Sequence, residues 1–178
     1  MKPLRTYIQQ LSLIDNNYTK GDVVDLLETF KIGCENFPYK NYPEAKDLPK
    51  HDWPGEDGID VFVPDTIPMK DYELEVTFIY SGTEQDMRTD IDNFVKFLYG
   101  RNSGAVGARL AIFDEHVGLG RKDVRVKKVG NDFFYDEDWD DDKLAGFKVT
   151  FHVDDPTTEV VPTYAVRDGK RVAVDLTF

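Results

Sequence analysis

Tyr72-Glu73-Leu74-Glu75-Val76-Thr77-Phe78-Ile79-Tyr80 is the stretch on which the fold class turns. Tyr72, Leu74, Val76, Phe78 and Tyr80 alternate with Glu73, Glu75, Thr77 and Ile79. A period of two is the spacing of side chains along a strand with one buried face. Phe147, Val149, Phe151 and Val153 alternate with Lys148, Thr150, His152 and Asp154 in the same way. Shorter strands are expected over 59–63, 109–113 and 124–129, and a mixed strand-like stretch fills 4–14. Between the two long strands lies one good helix. Thr83-x-x-Asp86 can cap it, and Met87, Ile91, Phe94, Val95 and Leu98 form one apolar stripe. Gly100 is placed to end it. Thr19-x-x-Asp22, followed by Val23, Leu26, Leu27 and Phe30, predicts a second, short helix.

The order is therefore strands, one main helix, more strands. That excludes alternating βαβ units and predicts a mainly β (α+β) domain: a β-sandwich or flattened barrel with one flanking helix. Residues 33–58 read as a long irregular loop, broken by Pro38, Pro43, Pro49, Pro54, Gly55 and Gly58. A loop of that length in a compact domain belongs to function, to a partner or to disorder. The expected division is one domain over 1–156 and a C-terminal β-hairpin arm over 157–178, with Asp154-Asp155-Pro156-Thr157-Thr158 as a hinge.

Within the hairpin, Arg167-Asp168-Gly169 can be a three-residue loop. That register sets Tyr164 opposite Val172, Pro162 opposite Val174 and Val160 opposite Leu176, all apolar. A two-residue Asp168-Gly169 turn would set Tyr164 opposite Ala173 and Val166 opposite Arg171, a poorer match. In the preferred register Val160, Pro162, Tyr164 and Val166 share a face with Val172, Val174, Leu176 and Phe178. A lone two-stranded hairpin is marginal in water, so that face must be covered. Val160, Tyr164, Val166, Val172, Val174, Leu176 and Phe178 are thus the candidate subunit contacts, and a hairpin folded back on its own domain is the alternative.

The 178-residue chain is 40% hydrophobic and 13% aromatic, enough for one real core. No run approaches the roughly 20 apolar residues that span a bilayer, and no secretory signal is visible, so no membrane partner is expected. Twenty-two Lys and Arg against 34 Asp and Glu give a net charge of −12, which opposes tight nucleic-acid binding. The single cysteine, Cys34, allows no intrachain disulfide and is read as a buried structural thiol.

The remaining constellations read as structure. The run Asp136-Glu137-Asp138-Trp139-Asp140-Asp141-Asp142 could interest calcium, but it lacks the spacing and mid-loop glycine of an EF-hand, so it is read as a solvated acidic turn. His51, His116 and His152 are scattered and sit in no metal motif. Gly118-Leu119-Gly120-Arg121-Lys122 lacks the ending of a phosphate loop and is read as a turn with two basic residues. Trp53 could stack on a sugar, but a buried anchor for the long loop is preferred. No nucleophile or acid–base pair with an orienting partner is visible, so no enzyme, cofactor or metal is expected.

At Asp52-Trp53-Pro54-Gly55-Glu56-Asp57-Gly58-Ile59-Asp60-Val61, then Lys70-Asp71-Tyr72-Glu73-Leu74-Glu75-Val76-Thr77-Phe78, the order of elements resembles a known family. An irregular acidic-glycine segment leads to a short strand, then a second strand, then Ser81-Gly82-Thr83 and a helix ending near Phe97-Leu98-Tyr99. Over about residues 52–154 this is similar to tail components of long-tailed phages and prophages of Bacteroides-type bacteria, within the tail-tube and distal-tail superfamily. The resemblance implies a virion structural protein assembled in the host cytoplasm. It implies a β-sandwich with one flanking helix, a homo-oligomeric and hexameric ring, other tail proteins as partners, and passage of DNA through the ring. The acidic charge agrees with a channel that must not hold DNA, with Lys122, Lys127 and Lys128 expected to face neighbours or the outside. A reading from another class is a carbohydrate-binding β-sandwich module using Trp53 or Trp139, with calcium at the acidic run. A metal-dependent enzyme is a third.

Overall fold

The structure is a computed structural model that describes residues 5–130, 134–136 and 144–178. It is mainly β. The strands are β1 (Thr6–Ile14), β2 (Asn17–Asp25), β3 (Ile32–Asn36), β4 (Lys50–His51), β5 (Asp60–Val61), β6 (Tyr72–Tyr80), β7 (Arg109–Asp114), β8 (Leu119–Val129), β9 (Phe134–Asp136), β10 (Leu144–Val153), β11 (Val161–Arg167) and β12 (Lys170–Thr177). The helices are α1 (Leu26–Phe30) and α2 (Glu84–Leu98). One large antiparallel sheet runs β2-β1-β7-β8-β10-β6-β3, with β9 also paired to β10. β11–β12 and β4–β5 form two separate ribbons.

The connection between the sheet's two edges sets its shape. β2 and β3 lie at opposite ends of the strand order, yet only α1 and Lys31 separate them in sequence. Seven strands spaced about 4.8 Å apart on a flat sheet would hold those edges about 29 Å apart. The five residues of α1 rise only about 8 Å. The sheet therefore curls toward a half-open barrel, and α1 and α2 plug the gap. Leu74, Val76, Phe78 and Tyr80 of β6, Phe147, Val149, Phe151 and Val153 of β10, and Phe94, Phe97 and Leu98 of α2 form one core. Phe94 sits 5.5 Å from Phe30, 5.3 Å from Phe78 and 6.1 Å from Phe147, ring centre to ring centre. Thr83 caps α2 by accepting from the Asp86 N–H, and Gly100 turns the chain away with a positive φ.

The second core cluster lies on the other face of β1 and β7. Tyr7, Leu11, Ala111 and Phe113 meet Val160, Ala173 and Leu176 there. The hairpin is thus the second layer of a sandwich over this part of the sheet.

Three local expectations need correction. The helix expected from Thr19 is a strand as far as Asp25. Asp15 and Asn16 both take positive φ, the conformation of a tight hairpin turn, and they fold β2 back onto β1. The N-cap of α1 is Asp25, whose carboxylate accepts from the Leu27 and Glu28 N–H groups. Second, Gly118-Leu119-Gly120-Arg121-Lys122 is a turn only at Gly118; β8 begins at Leu119, and Arg121 is 2% exposed. Gly120 is required, because a Cβ there would lie 2.1 Å from the Val160 carbonyl oxygen. Third, the terminal hairpin uses the two-residue turn. Asp168 and Gly169 both have positive φ, Val166 faces Arg171, and Tyr164 faces Ala173. A bulge between Thr163 and Tyr164 then shifts the register, so that Pro162 faces Leu176. The turn chemistry chose the tip, and the bulge restored an apolar pairing at the base.

Candidate assembly surface

Between Phe37 and β6 the chain leaves the core. Phe37 is buried, and no residue from 38 to 71 is. This segment is an ordered ribbon. The Lys46 N–H donates to the Pro68 carbonyl (2.8 Å), the Lys70 N–H to Glu44 (2.7 Å) and the Phe62 N–H to Pro49 (2.9 Å). Lys50 pairs with Val61 and His51 with Asp60. Gly55 and Gly58 turn the tip, each at φ +93°. The irregular loop expected over 33–58 is therefore β3 followed by one side of a two-stranded arm. The base of the arm is pinned: Arg121 Nη2 donates to Asn41 Oδ1 (2.7 Å), and Lys40 Nζ donates to the Glu73 carbonyl (2.8 Å).

Its side chains are apolar for so exposed a segment. Tyr39, Tyr42, Trp53, Ile59, Val61, Phe62, Val63 and Ile67 are all exposed, with Tyr42 at 87% and Phe62 at 68%. Trp53, expected as a buried anchor, is half exposed. Its contacts lie within the arm: its ring lies 3.9 Å from that of His51, and its Nε1–H donates to Asp60 Oδ2 (3.0 Å). The tip is also strongly acidic. Asp52, Glu56, Asp57, Asp60 and Asp65 are exposed, and no Lys or Arg lies between 51 and 69.

The terminal hairpin is the other half of the surface. Of its candidate contact residues, Val160 and Leu176 are buried in the chain's own second core. Tyr164, Val172, Val174 and Phe178 are half-buried, and Val166 is 75% exposed. The hairpin is tied down through polar groups. Gln9 accepts from the Leu176 N–H (3.1 Å) and donates to Asp175 Oδ1 (3.2 Å). Lys20 pairs with Asp175 (3.0 Å) and sits over the Phe178 ring. The Tyr164 hydroxyl donates to Glu115 (2.7 Å). Burial, and then this bond, push the Tyr164 phenol up to about 12. Asp155, in the expected hinge, accepts from the Thr157 and Thr158 N–H groups. Burial raises its carboxyl, but those bonds and that of the Thr158 hydroxyl outweigh it and hold it below the ordinary range.

Other sequence candidates fall apart in space. His51 is in the arm, His116 follows β7, and His152 on β10 lies 2.7 Å from Asp71 and 3.3 Å from Asp154. Cys34 is half-buried, and burial pushes its thiol up to about 12. Lys127 pairs with Glu73, while Lys122 pairs with Asp155 (3.8 Å) and lies over the Tyr18 and Phe178 rings. Among the described residues, no three His, Cys, Asp or Glu side chains converge as a cation site. Residues 137–142 of the acidic run, Trp139 included, lie outside the described residues. Among those described, no helix is long and apolar enough to cross a membrane.

Comparison with protein-family models gives no match, and comparison with curated proteins gives none either. Among solved structures, the chain is similar to the SPP1 Dit (gp 19.1) protein, described as a paradigm of the hub adsorption apparatus in phages that infect Gram-positive bacteria. Identity is 18% and the TM-score 0.49, over 88% of this chain and 52% of that one. The chain thus spans about half the length of that protein, and a likeness at this level defines neither its family nor its role.

Proposed function

We propose that this chain is a structural virion protein of a long-tailed phage. In this reading it forms a ring, hexameric as in the proteins it resembles, in the tail tube or at its distal end, around the path of outgoing DNA. The observation that carries the reading is the arm over 38–71. An ordered ribbon with no buried residue and eight exposed large apolar side chains gains little from its own fold, and a two-stranded ribbon alone is marginal in water. Such a segment suits a molecule that completes its burial against other chains. The curled antiparallel sheet with one main helix agrees with the architecture that the sequence resemblance implies. The charge of −12 agrees with a lumen that repels phosphate.

Mass photometry and negative-stain microscopy of the full chain test this reading. Closed rings with a central opening are expected. A chain that stays monomeric at every concentration would sink it. The exposure of Trp53 favours one other reading, a carbohydrate-binding module. A strict monomer that binds glycans and loses that binding on Trp53→Ala would establish the module instead.

A further inference from the structure

Resting on the assembly reading above, we infer that the tip of the arm docks on the basic tip of the terminal hairpin of a second copy. The two surfaces are complementary in charge and in character. The arm tip carries four exposed carboxylates, Asp52, Glu56, Asp57 and Asp60, with exposed Asp65 nearer the base, against one exposed lysine, Lys50, which pairs with Val61, and His51, which pairs with Asp60. Beside them stand exposed Val61, Phe62 and Val63. The hairpin tip carries Arg167, Lys170 and Arg171 against one acid, Asp168, all exposed. None of these three cations is in an ion pair with a described residue, whereas Lys127, Lys148 and Arg125 on the sheet are each paired with one. Arg171 lies over the Tyr164 ring at 3.6 Å, which holds its guanidinium at the hairpin surface. Val166 lies across the ribbon from Arg171 and gives the basic tip an exposed apolar contact.

An aromatic and aliphatic centre ringed by opposite charges is the composition of a specific interface. Like charge opposes arm-to-arm pairing, because the acidic tip repels its own copy. The contact is heterologous, since the arm of one copy meets the hairpin of the next, and such contacts close into rings when the rotation permits.

The test is a charge swap in the full chain, read by sedimentation velocity over a range of concentrations. Glu56→Lys with Asp57→Lys and Asp65→Lys reverses the arm. Arg167→Glu with Lys170→Glu reverses the hairpin. All five positions are exposed, and circular dichroism checks that each variant keeps the fold. Each reversed protein should associate at least tenfold more weakly than the parent. An equimolar mixture of the two should co-assemble, because each reversed tip then finds its complement. Should either variant misfold, salt decides with the parent chain: raising it from ~0.05 M to ~0.5 M should weaken association tenfold or more. Unchanged association after reversal, or indifference to salt, overturns this contact while leaving ring assembly intact. Weakening without rescue in the mixture shows that the two tips contact other surfaces, and also overturns it. A parent chain that never associates overturns both this contact and the assembly reading.

Discussion

Two consecutive glutamines on β1 explain how one strand serves two cores. Gln9 and Gln10 are both buried, and alternation points them to opposite faces. Gln10 donates to the Phe97 carbonyl (2.7 Å) at the end of α2 and accepts from the Val106 N–H (3.2 Å). Gln9 holds the hairpin through Leu176 and Asp175. Each satisfies backbone groups that burial would otherwise leave unpaired. At the same scale, Phe94 is fully buried against three other phenylalanines. Phe94→Ala should cost about 3–5 kcal/mol in denaturant melts; a loss under about 1 kcal/mol would mean that the α2 stripe does not face the core. The tyrosines predict an alkaline transition. Burial, and then bonds to Asp123, Asp90 and Glu115, push the phenols of Tyr18, Tyr80 and Tyr164 up to about 12. An unfolded tyrosine titrates near ~10. The folded chain therefore keeps protons that the unfolded chain releases, so this stabilisation is complete below pH ~10 and is lost as pH rises toward the folded value. Melting temperature should fall steeply above pH ~10, and Tyr80→Phe should flatten the fall. A flat profile in the parent chain would show that these phenols carry no linkage.

At the scale of elements, the terminal hairpin and the arm are built alike and behave differently. Both are two-stranded ribbons, but among the described residues only the hairpin contributes to a hydrophobic core, since Ala173 and Leu176 close over Tyr7, Leu11, Ala111 and Phe113. Leu176→Ala should therefore cost about 2–5 kcal/mol, and the hairpin should melt together with the sheet in one transition. A separate, earlier transition removed by deleting 158–178 would show the hairpin to be an independent appendage. The arm has no such cover. Its amides between 44 and 70 should exchange with solvent far faster than those of β6 and β10 in the dispersed chain, since local opening there exposes almost nothing new.

Across the whole molecule, curling of the sheet and the placement of the two ribbons divide the surface into parts with different tasks. The helices close the barrel gap, the hairpin covers the outer face of β1 and β7, and the arm leaves the body with its apolar residues uncovered. Assembly should change the exchange pattern in one way above all. Protection should rise across 44–70 and across 161–171 when hydrogen exchange is compared between dilute and concentrated protein. Protection confined to α2, with neither ribbon affected, would place the contact elsewhere.

The long strands, the main helix and its cap were legible in the sequence because each rests on local physics. Alternation in 72–80 and 147–153 states which face is buried, and Thr83 with Asp86 is a cap wherever that helix sits. The short helix is present, since Leu26, Leu27 and Phe30 lie in α1, but it starts later than Thr19-x-x-Asp22 suggests, because the Asp15-Asn16 turn pairs 17–25 with β1 and leaves Asp25 as the cap. The hairpin register needed a bulge, which leaves no residue signature and depends on what lies beneath the strand. The arm was visible only as proline and glycine breaks. Whether Trp53, Phe62 and Val63 are buried depends on the distance between the arm and the core, a property of the folded chain and not of the segment. Arg121 is the same lesson in reverse: next to two glycines it looks like a surface turn, and only the approach of Val160 over Gly120, with Asn41 reaching in from the arm's base, puts it inside. Local sequence determined which segments are strand or helix and which face of each is apolar. Long-range packing alone decided which of those faces the chain covers itself and which it leaves exposed, because burial is set by the whole surface that meets a residue and not by its neighbours in sequence.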